Sequence, residues 1–301
     1  MSDLSGKVAI VTGAGRYRGI GRATALALAR AGADVAVTGT GRSPESFPDD
    51  EKKIGWRDIE SVAEDIRDLG RRAVTIVADM GDNDQARGIV EQTVAELGRV
   101  DILVNNAAYP IGRDRVPVVE LDDDLWHRVI AIKLFGSYYA SKAAAHAMTQ
   151  QGAGGSIVMV SSIAGKLQPP NMAAYVVANM GVQGLAASLA KELGRYQINV
   201  NCICPGIIDT ARMDLHGRDD QWRRRVKEIP MGRAGLPEDV ASAILFLCSE
   251  EGRWTTGQSK ASLFCNEPAQ VEQNIGYNWR RTFGGEGASW KGGRSGEATS
   301  A

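Results

Sequence analysis

The chain has 301 residues, enough for one large domain or two small ones, with 44% hydrophobic and 24% charged residues. That balance fits a globular protein with a substantial core. A net charge of −1 gives no electrostatic reason to bind nucleic acid or an acidic membrane, and no apolar run reaches the roughly 18 residues of a membrane span.

Met1 to Gly6 is short and polar, so an ordinary signal peptide is not expected. Strand-like and helix-like segments then alternate. Val8 to Thr12 reads as an apolar strand, Ile20 to Ala31 as a helix ending at Gly32, and Val35 to Thr38 as a β-branched strand. Gly39 to Gly55 is polar, holds Pro44 and Pro48, and reads as a long loop. Asp58 to Leu69 is an amphipathic helix closed by Gly70. Ala73 to Val77 reads as a strand, Asp84 to Leu97 as a helix closed by Gly98, and Ile102 to Val104 as a strand. Asp122 to Gln150 has the pattern of one long helix. A strand at Ser156 to Val160, a helix at Ala173 to Leu193, a strand at Val200 to Ile203 and a helix at Pro237 to Ser249 complete the series. Such alternation predicts an α/β fold: a doubly wound parallel sheet of the Rossmann type, with helices on both faces.

The end of the chain differs. Six of the thirteen residues from Gly284 to Gly296 are glycine, too few apolar side chains to offset chain entropy. One domain over 1–265 and a Gly-rich tail over 266–301 are therefore expected. Trp279 and Trp290 leave open an arm that docks on a neighbouring subunit or over the site. The four cysteines (Cys202, Cys204, Cys248, Cys265) lack a disulfide-framework spacing, and reduced, buried thiols in a cytoplasmic protein are expected. Cys202 and Cys204 point to one side of a strand, but no His or acidic cluster joins them, so no metal is expected.

Chemistry concentrates first between Thr12 and Gly21. Thr12-Gly13-Ala14-Gly15-Arg16-Tyr17-Arg18-Gly19-Ile20-Gly21 joins the first strand to the first helix. Glycines there let the backbone approach a pyrophosphate, and the helix N-terminus offers it unpaired N–H groups and partial positive charge. The spacing is not strict G-x-G-x-x-G; the strand–turn–helix setting gives the pattern its weight. The second strand ends Thr38-Gly39-Thr40-Gly41-Arg42, without the acid that holds the ribose of NAD. With Arg18 and Arg42 as partners for a 2′-phosphate, NADP is expected over NAD.

From here the chain resembles the classical short-chain dehydrogenase/reductase family, over about residues 5 to 258. The family's Thr-Gly-x-x-x-Gly-Ile-Gly turn matches Thr12 to Gly21, two residues longer than usual. Asp79-Met80 looks like the pair that meets the adenine, and Asn105-Asn106-Ala107-Ala108 like the family's Asn-Asn-Ala-Gly. Ser161-Ser162 ends a strand where the family keeps its catalytic serine, Ser162 being the better match, and Tyr175 sits at the catalytic tyrosine. Pro205-Gly206, then Ile208 and Thr210, looks like the segment that holds the nicotinamide. By this resemblance Gly13, Arg18, Gly19, Ile20, Gly21, Arg42, Asp79, Met80, Asn105, Ala107, Pro205, Gly206, Ile208 and Thr210 would bind the cofactor.

Two residues depart from the family pattern. Its Tyr-x-x-x-Lys reads Tyr175-Val176-Val177-Ala178-Asn179, and the asparagine of the preceding long helix is Lys133. The two types look exchanged. Lys133 could serve in place of the family lysine while Asn179 takes the relay role. Alternatively, a weakened Tyr175–Ser162 pair could still support reduction. In a third reading the protein has left redox chemistry for elimination, cyclisation or binding alone.

The implied activity is NADP-dependent hydride transfer between a ketone or aldehyde and the matching alcohol, with Ser162, Tyr175, Lys133 and Asn179 as the altered catalytic set. The rival is a cofactor-binding protein of the same fold with non-redox or no catalysis. On the substrate side, Met213, Trp222 and Met231 could wall a pocket, Tyr109 and Arg113 add to its rim, and Arg223-Arg224-Arg225 reads as a solvated helix face. A homodimer or homotetramer is implied.

Overall fold

In the computed structural model, residues 2–261 are described. Cys265, the glycine-rich tail and its two tryptophans lie outside the described residues.

The apolar β-branched runs become strands β1 (Val8–Val11), β2 (Asp34–Gly39), β3 (Ala73–Val77), β4 (Ile102–Asn105), β5 (Gly155–Val160), β6 (Ile198–Cys204) and β7 (Ser259–Ala261). They form one seven-stranded sheet in the order β3-β2-β1-β4-β5-β6-β7. Every pairing is parallel. Parallel strands are covered on both faces, which is why β1, β4 and most of β5 are buried at every position rather than alternating.

Two layers of helices supply the cover. On one face α1 (Ile20–Arg30), α3 (Ile59–Asp68) and α10 (Pro237–Cys248) bury Leu28, Ile66 and Ile244 against Val11, Val35 and Val158. On the other, α4 (Asn83–Leu97), α6 (Gly136–Gln151) and α8 (Ala173–Leu193) bury Ile89, Met148 and Val182 against Ile10, Leu103 and Ile157. Full burial of each such side chain stabilises the fold by about 1.5–3 kcal/mol. Cys202 and Cys204 both join the second layer, as their spacing requires.

Helix ends follow local chemistry. Asp82 caps α4 by accepting from the backbone N–H groups of Asp84 and Gln85, and Gly98 closes it at φ 89°. Asp122 caps α5 (Asp123–Ile130) through Leu125 N–H. Helix α8 with its extension to Tyr196 has the length and hydropathy of a membrane crossing, which a search for uninterrupted apolar runs passes over. Here Ala178, Val182, Ala186 and Ala190 of that helix are buried.

Three local features differ from the sequence expectation. The expected loop after β2 carries a one-turn helix, α2 (Asp49–Lys53), favoured by Asp49, Asp50 and Glu51 at its start. The expected long helix is continuous but changes to π-helical hydrogen bonding over Ala131–Phe135, between α5 and α6. Short α7 (Ala164–Leu167) and α9 (Asp220–Lys227) fill segments left unassigned.

Candidate active site

Strand order reverses between β1 and β4, which leave the sheet side by side with their connections going to opposite faces. In an open parallel sheet such a switch point forms a crevice beyond the strands' carboxyl ends. Thr12 and Asn105 lie there. The Thr12 hydroxyl accepts from the backbone N–H groups of Asn106 and Ala107 at 2.9 and 3.0 Å. The Asn106 amide donates back to the Thr12 and Gly13 carbonyls, both at 2.9 Å. Two loops far apart in sequence thus become one wall.

Glycine is required on that wall. Gly13 has φ +66°, and a Cβ there would lie 2.8 Å from Ala107 Cα. A Cβ on Gly21 would lie 2.6 Å from the Gly13 carbonyl oxygen. Gly19 starts α1 with no side-chain cap, and no acid occupies the first turn. The helix therefore presents bare N–H groups, the donor set a pyrophosphate needs. Met80 is buried in the turn after β3, and the Asp79 carboxylate accepts from Gly81 N–H and from Arg128. Asn105 donates to Ser141, while its buried side-chain oxygen lacks a hydrogen-bond partner among the described residues. These features fit a dinucleotide.

Arg18 and Arg42, expected as 2′-phosphate partners, are both engaged by carboxylates. Arg18 pairs with Asp50 at 2.7 Å and with Asp214. Arg42 donates to Asp58 through Nε and Nη2 at 3.0 and 2.8 Å, and to buried Glu51 at 2.8 Å. Asp58, from farther along the chain, lies beside the end of β2: a Cβ on Gly39 would be 3.4 Å from its carboxylate. A Cβ on Gly15 would overlap the Asp58 carboxylate, and Asp58 holds a left-handed backbone, φ 55°. Sequence reading missed Asp58 because it looks like an ordinary helix start.

The catalytic candidates lie just after β5, on α8 and in the π-helical turn. Ser161 donates to the Asn179 carbonyl at 2.9 Å and accepts from Gln183 at 3.0 Å, so its hydroxyl is committed to structure. Ser162 Oγ accepts from Ala164 N–H at 3.1 Å and keeps its own proton to donate. Tyr175 is half-buried in the first turn of α8. The Asn179 amide nitrogen turns back along its helix to the Tyr175 carbonyl at 2.8 Å, and its buried side-chain oxygen lacks a hydrogen-bond partner among the described residues.

Lys133 is 4% exposed and donates to the Ala107 carbonyl at 3.2 Å. Burial pushes its ammonium down to about 8; Cys202 and Cys204 act the other way, and Arg212 adds to the depression. The lysine stem runs through the core beneath the Asn-Asn-Ala-Ala turn.

Pro205 accepts from Ile163 N–H at 2.9 Å, tying the nicotinamide-side segment to the serine loop. Ile208 bridges to Gly235, and Thr210 starts the turn that carries Arg212. On the substrate side Met231 is 58% exposed. Arg113 and Arg223 to Arg225 are exposed. Sequence reading also missed Arg115, whose guanidinium carbon lies 3.8 Å above the centre of the Tyr175 ring. Its distance in sequence from the tyrosine leaves no local signal.

Residues 13–261 match the family model described as Enoyl-(Acyl carrier protein) reductase. The chain is 35% identical over 263 residues to a short chain dehydrogenase/reductase of Aspergillus oryzae, covering 86% of this chain and 94% of that one. It is 38% identical over 261 residues to cyclohexanol dehydrogenase of a Rhodococcus species, covering 84% and 93%. The crystal structure of carveol dehydrogenase from Mycobacterium avium in complex with NAD is similar at TM-score 0.76 and 31% identity, covering 87% of this chain and 97% of that one.

Proposed function

The chain belongs to the short-chain dehydrogenase/reductase family, and from that premise we propose that it interconverts an alcohol and its ketone or aldehyde, with Tyr175 and Ser162 at the reacting oxygen. The observation that carries this reading is the division of labour between the two serines. Ser161 is consumed by structure, whereas Ser162 only accepts, from Ala164 N–H, and retains a proton to donate. Relatives named for cyclohexanol and carveol support alcohol chemistry.

The bound dinucleotide would carry the hydride at its nicotinamide ring. In reduction, the Tyr175 hydroxyl gives its proton to the carbonyl oxygen while Ser162 donates a hydrogen bond to that oxygen. In oxidation the same tyrosine oxygen takes the alcohol proton. Lys133 supplies the cation that the family keeps four residues after the tyrosine. Support comes from its burial and its bond to Ala107, within the turn that borders the cofactor crevice. Asn179 would use its unpartnered oxygen to accept from a ribose hydroxyl or a relay water.

Gly13, Gly19, Ile20 and Gly21 would hold the pyrophosphate, Asp79 and Met80 the adenine, and Asn105, Ala107, Pro205, Gly206, Ile208 and Thr210 the nicotinamide half. For the choice of cofactor, the Arg42–Asp58 pair supports NAD over the NADP expected from the sequence. A 2′-phosphate would meet a cation already bound to two carboxylates, whereas Asp58 can accept from a ribose hydroxyl.

A cytoplasmic homo-oligomer is part of the proposal. Val90, Val94, Tyr139 and Ala143 line an apolar groove between α4 and α6 suited to another subunit. The catalytic assignment is tested by Tyr175→Phe. Turnover of a ketone with NADH should fall by about 10² to 10⁴, with dinucleotide binding retained. Unchanged turnover would refute it.

A further inference from the structure

Arg115 and Arg212 approach the same catalytic ring from two loops. Arg115 follows β4, and its guanidinium carbon stands 3.8 Å from the Tyr175 ring centre. Arg212 follows β6, and its guanidinium carbon stands 5.6 Å from that centre. Both carry buried nitrogens without hydrogen bonds among the described residues: Nε and Nη1 of Arg115, and Nη2 of Arg212. Arg212 Nη1 donates to the Tyr109 carbonyl at 2.8 Å, which fixes the side chain and leaves the rest of the fork facing the site. Asp114 forms a long ion pair with Arg115 Nη1 at 3.5 Å, and Tyr175 also favours the Arg115 cation, so its charge is partly answered while its Nε and Nη1 lack hydrogen bonds.

Arg212 acts electrostatically on three other cations. Burial lowers the pKa of Arg16, Arg115 and Lys133, and Arg212 pushes each of them down further. Asp114 answers Arg115, while Glu51 and Asp58 answer Arg16 on the cofactor side. Buried guanidinium donors with no acceptor are unfavourable, and a planar anion that accepts from both forks relieves them.

We propose that Arg115 and Arg212 clamp a carboxylate of the substrate, so that the enzyme acts on short oxo acids or hydroxy acids whose reacting carbon lies close to the carboxylate. The inference rests on the reading of Tyr175 as the acid/base group. The reacting oxygen must meet the tyrosine hydroxyl, and the two guanidinium carbons lie 3.8 and 5.6 Å from that tyrosine's ring centre. A carboxylate they hold is therefore only a few bonds from the reacting carbon.

The test compares oxo acids with uncharged analogues of matched shape, using the full chain and NADH. Acetoacetate is set against methyl acetoacetate, and 2-oxobutanoate against 2-butanone, with cyclohexanone as a bulkier neutral ketone. The acids should exceed their neutral partners in kcat/KM by about tenfold or more. Arg115→Gln and Arg212→Gln should each erase that ratio mainly through KM, with Arg115→Lys intermediate because it keeps charge but not the fork. Equal or better turnover of the neutral analogues would overturn the clamp and leave the oxidoreductase reading standing. So would a ratio unchanged in both glutamine variants while NADH binding weakens, since the arginines would then serve the cofactor.

Oxalate binding, followed by calorimetry, separates the two failures if no carbonyl is turned over. Saturable binding lost in Arg115→Gln would support the clamp without catalysis, and absence of binding to the wild-type chain would overturn it. Circular dichroism of each variant identifies any that fails to fold, and Arg115→Lys then carries the comparison.

Discussion

The Asn179 side-chain amide donates to the Tyr175 backbone carbonyl one helical turn earlier, at 2.8 Å. The residue that stands where the family keeps its lysine is thus folded back on its own helix. In the proposed assignment the cation comes instead from Lys133, buried in the π-helical turn of the neighbouring helix. π-Helical turns are often found at functional sites, because the extra residue re-aims a side chain.

If the two residues have exchanged roles, their substitutions are coupled. Lys133→Asn and Asn179→Lys should each reduce turnover, while the double variant recovers part of the loss, giving a coupling of about 1–3 kcal/mol in transition-state free energy. Steady-state kinetics of the four proteins measures this. Strictly additive losses would show that the two positions act independently.

Lys133 also makes stability depend on pH. Its folded-state value of about 8 lies below the unfolded 10.5, so between these values the unfolded chain holds a proton that the folded chain has released. Stability should therefore rise with pH from 8 to 10.5, with the full penalty present below 8. The penalty is about 3 kcal/mol. Lys133→Met removes both penalty and slope, and it loses the Ala107 hydrogen bond at about 1 kcal/mol. A net gain of about 2 kcal/mol at neutral pH is expected from urea titrations run across pH.

Asp58 should control cofactor choice. Asp58→Asn removes a charge from Arg42 while keeping a side chain of the same size at this positive-φ position. Affinity for NADPH relative to NADH should increase by about tenfold. Fluorescence titration of both dinucleotides reads the ratio, and a fall would contradict the assignment of Asp58 to the ribose.

The glycine turn allows a sharper contrast. Gly21→Ala forces a Cβ to within 2.6 Å of the Gly13 carbonyl and 2.8 Å of Ala14 Cα, so backbone must move. Stability should drop by about 1–3 kcal/mol, with dinucleotide affinity falling alongside. Gly184→Ala meets open space inside α8 and should stabilise by about 0.5–1 kcal/mol without touching affinity. Thermal melts with and without NADH distinguish the two.

The fold was legible because its signals are local. Val8 to Val11 and Ile102 to Asn105 are continuous apolar runs, as strands covered on both faces must be, and Ile20 to Arg30 carries helical spacing directly after its glycine turn. The candidates Ser162, Tyr175, Lys133 and Asn179 were picked out through ordered motifs. The π-helical change at Ala131 was not, since one longer hydrogen-bond ring barely alters apolar spacing. Nor could Asp58 be placed beside Gly15, because the intervening polar segment folds into α2 and carries Glu51 and Arg42 to the same point. Arg115 is found only once the loop after β4 is laid over α8.

The most direct test of the account measures dinucleotide binding and carbonyl turnover together on the full chain. NADH binding is followed by fluorescence, and NADH oxidation by absorbance against a panel of neutral ketones, aldehydes and oxo acids. The account predicts saturable binding together with turnover of at least one carbonyl, and loss of that turnover in Tyr175→Phe with binding preserved. Tight binding with no turnover of any member, in either direction, would contradict it and leave a dinucleotide-binding protein without redox chemistry.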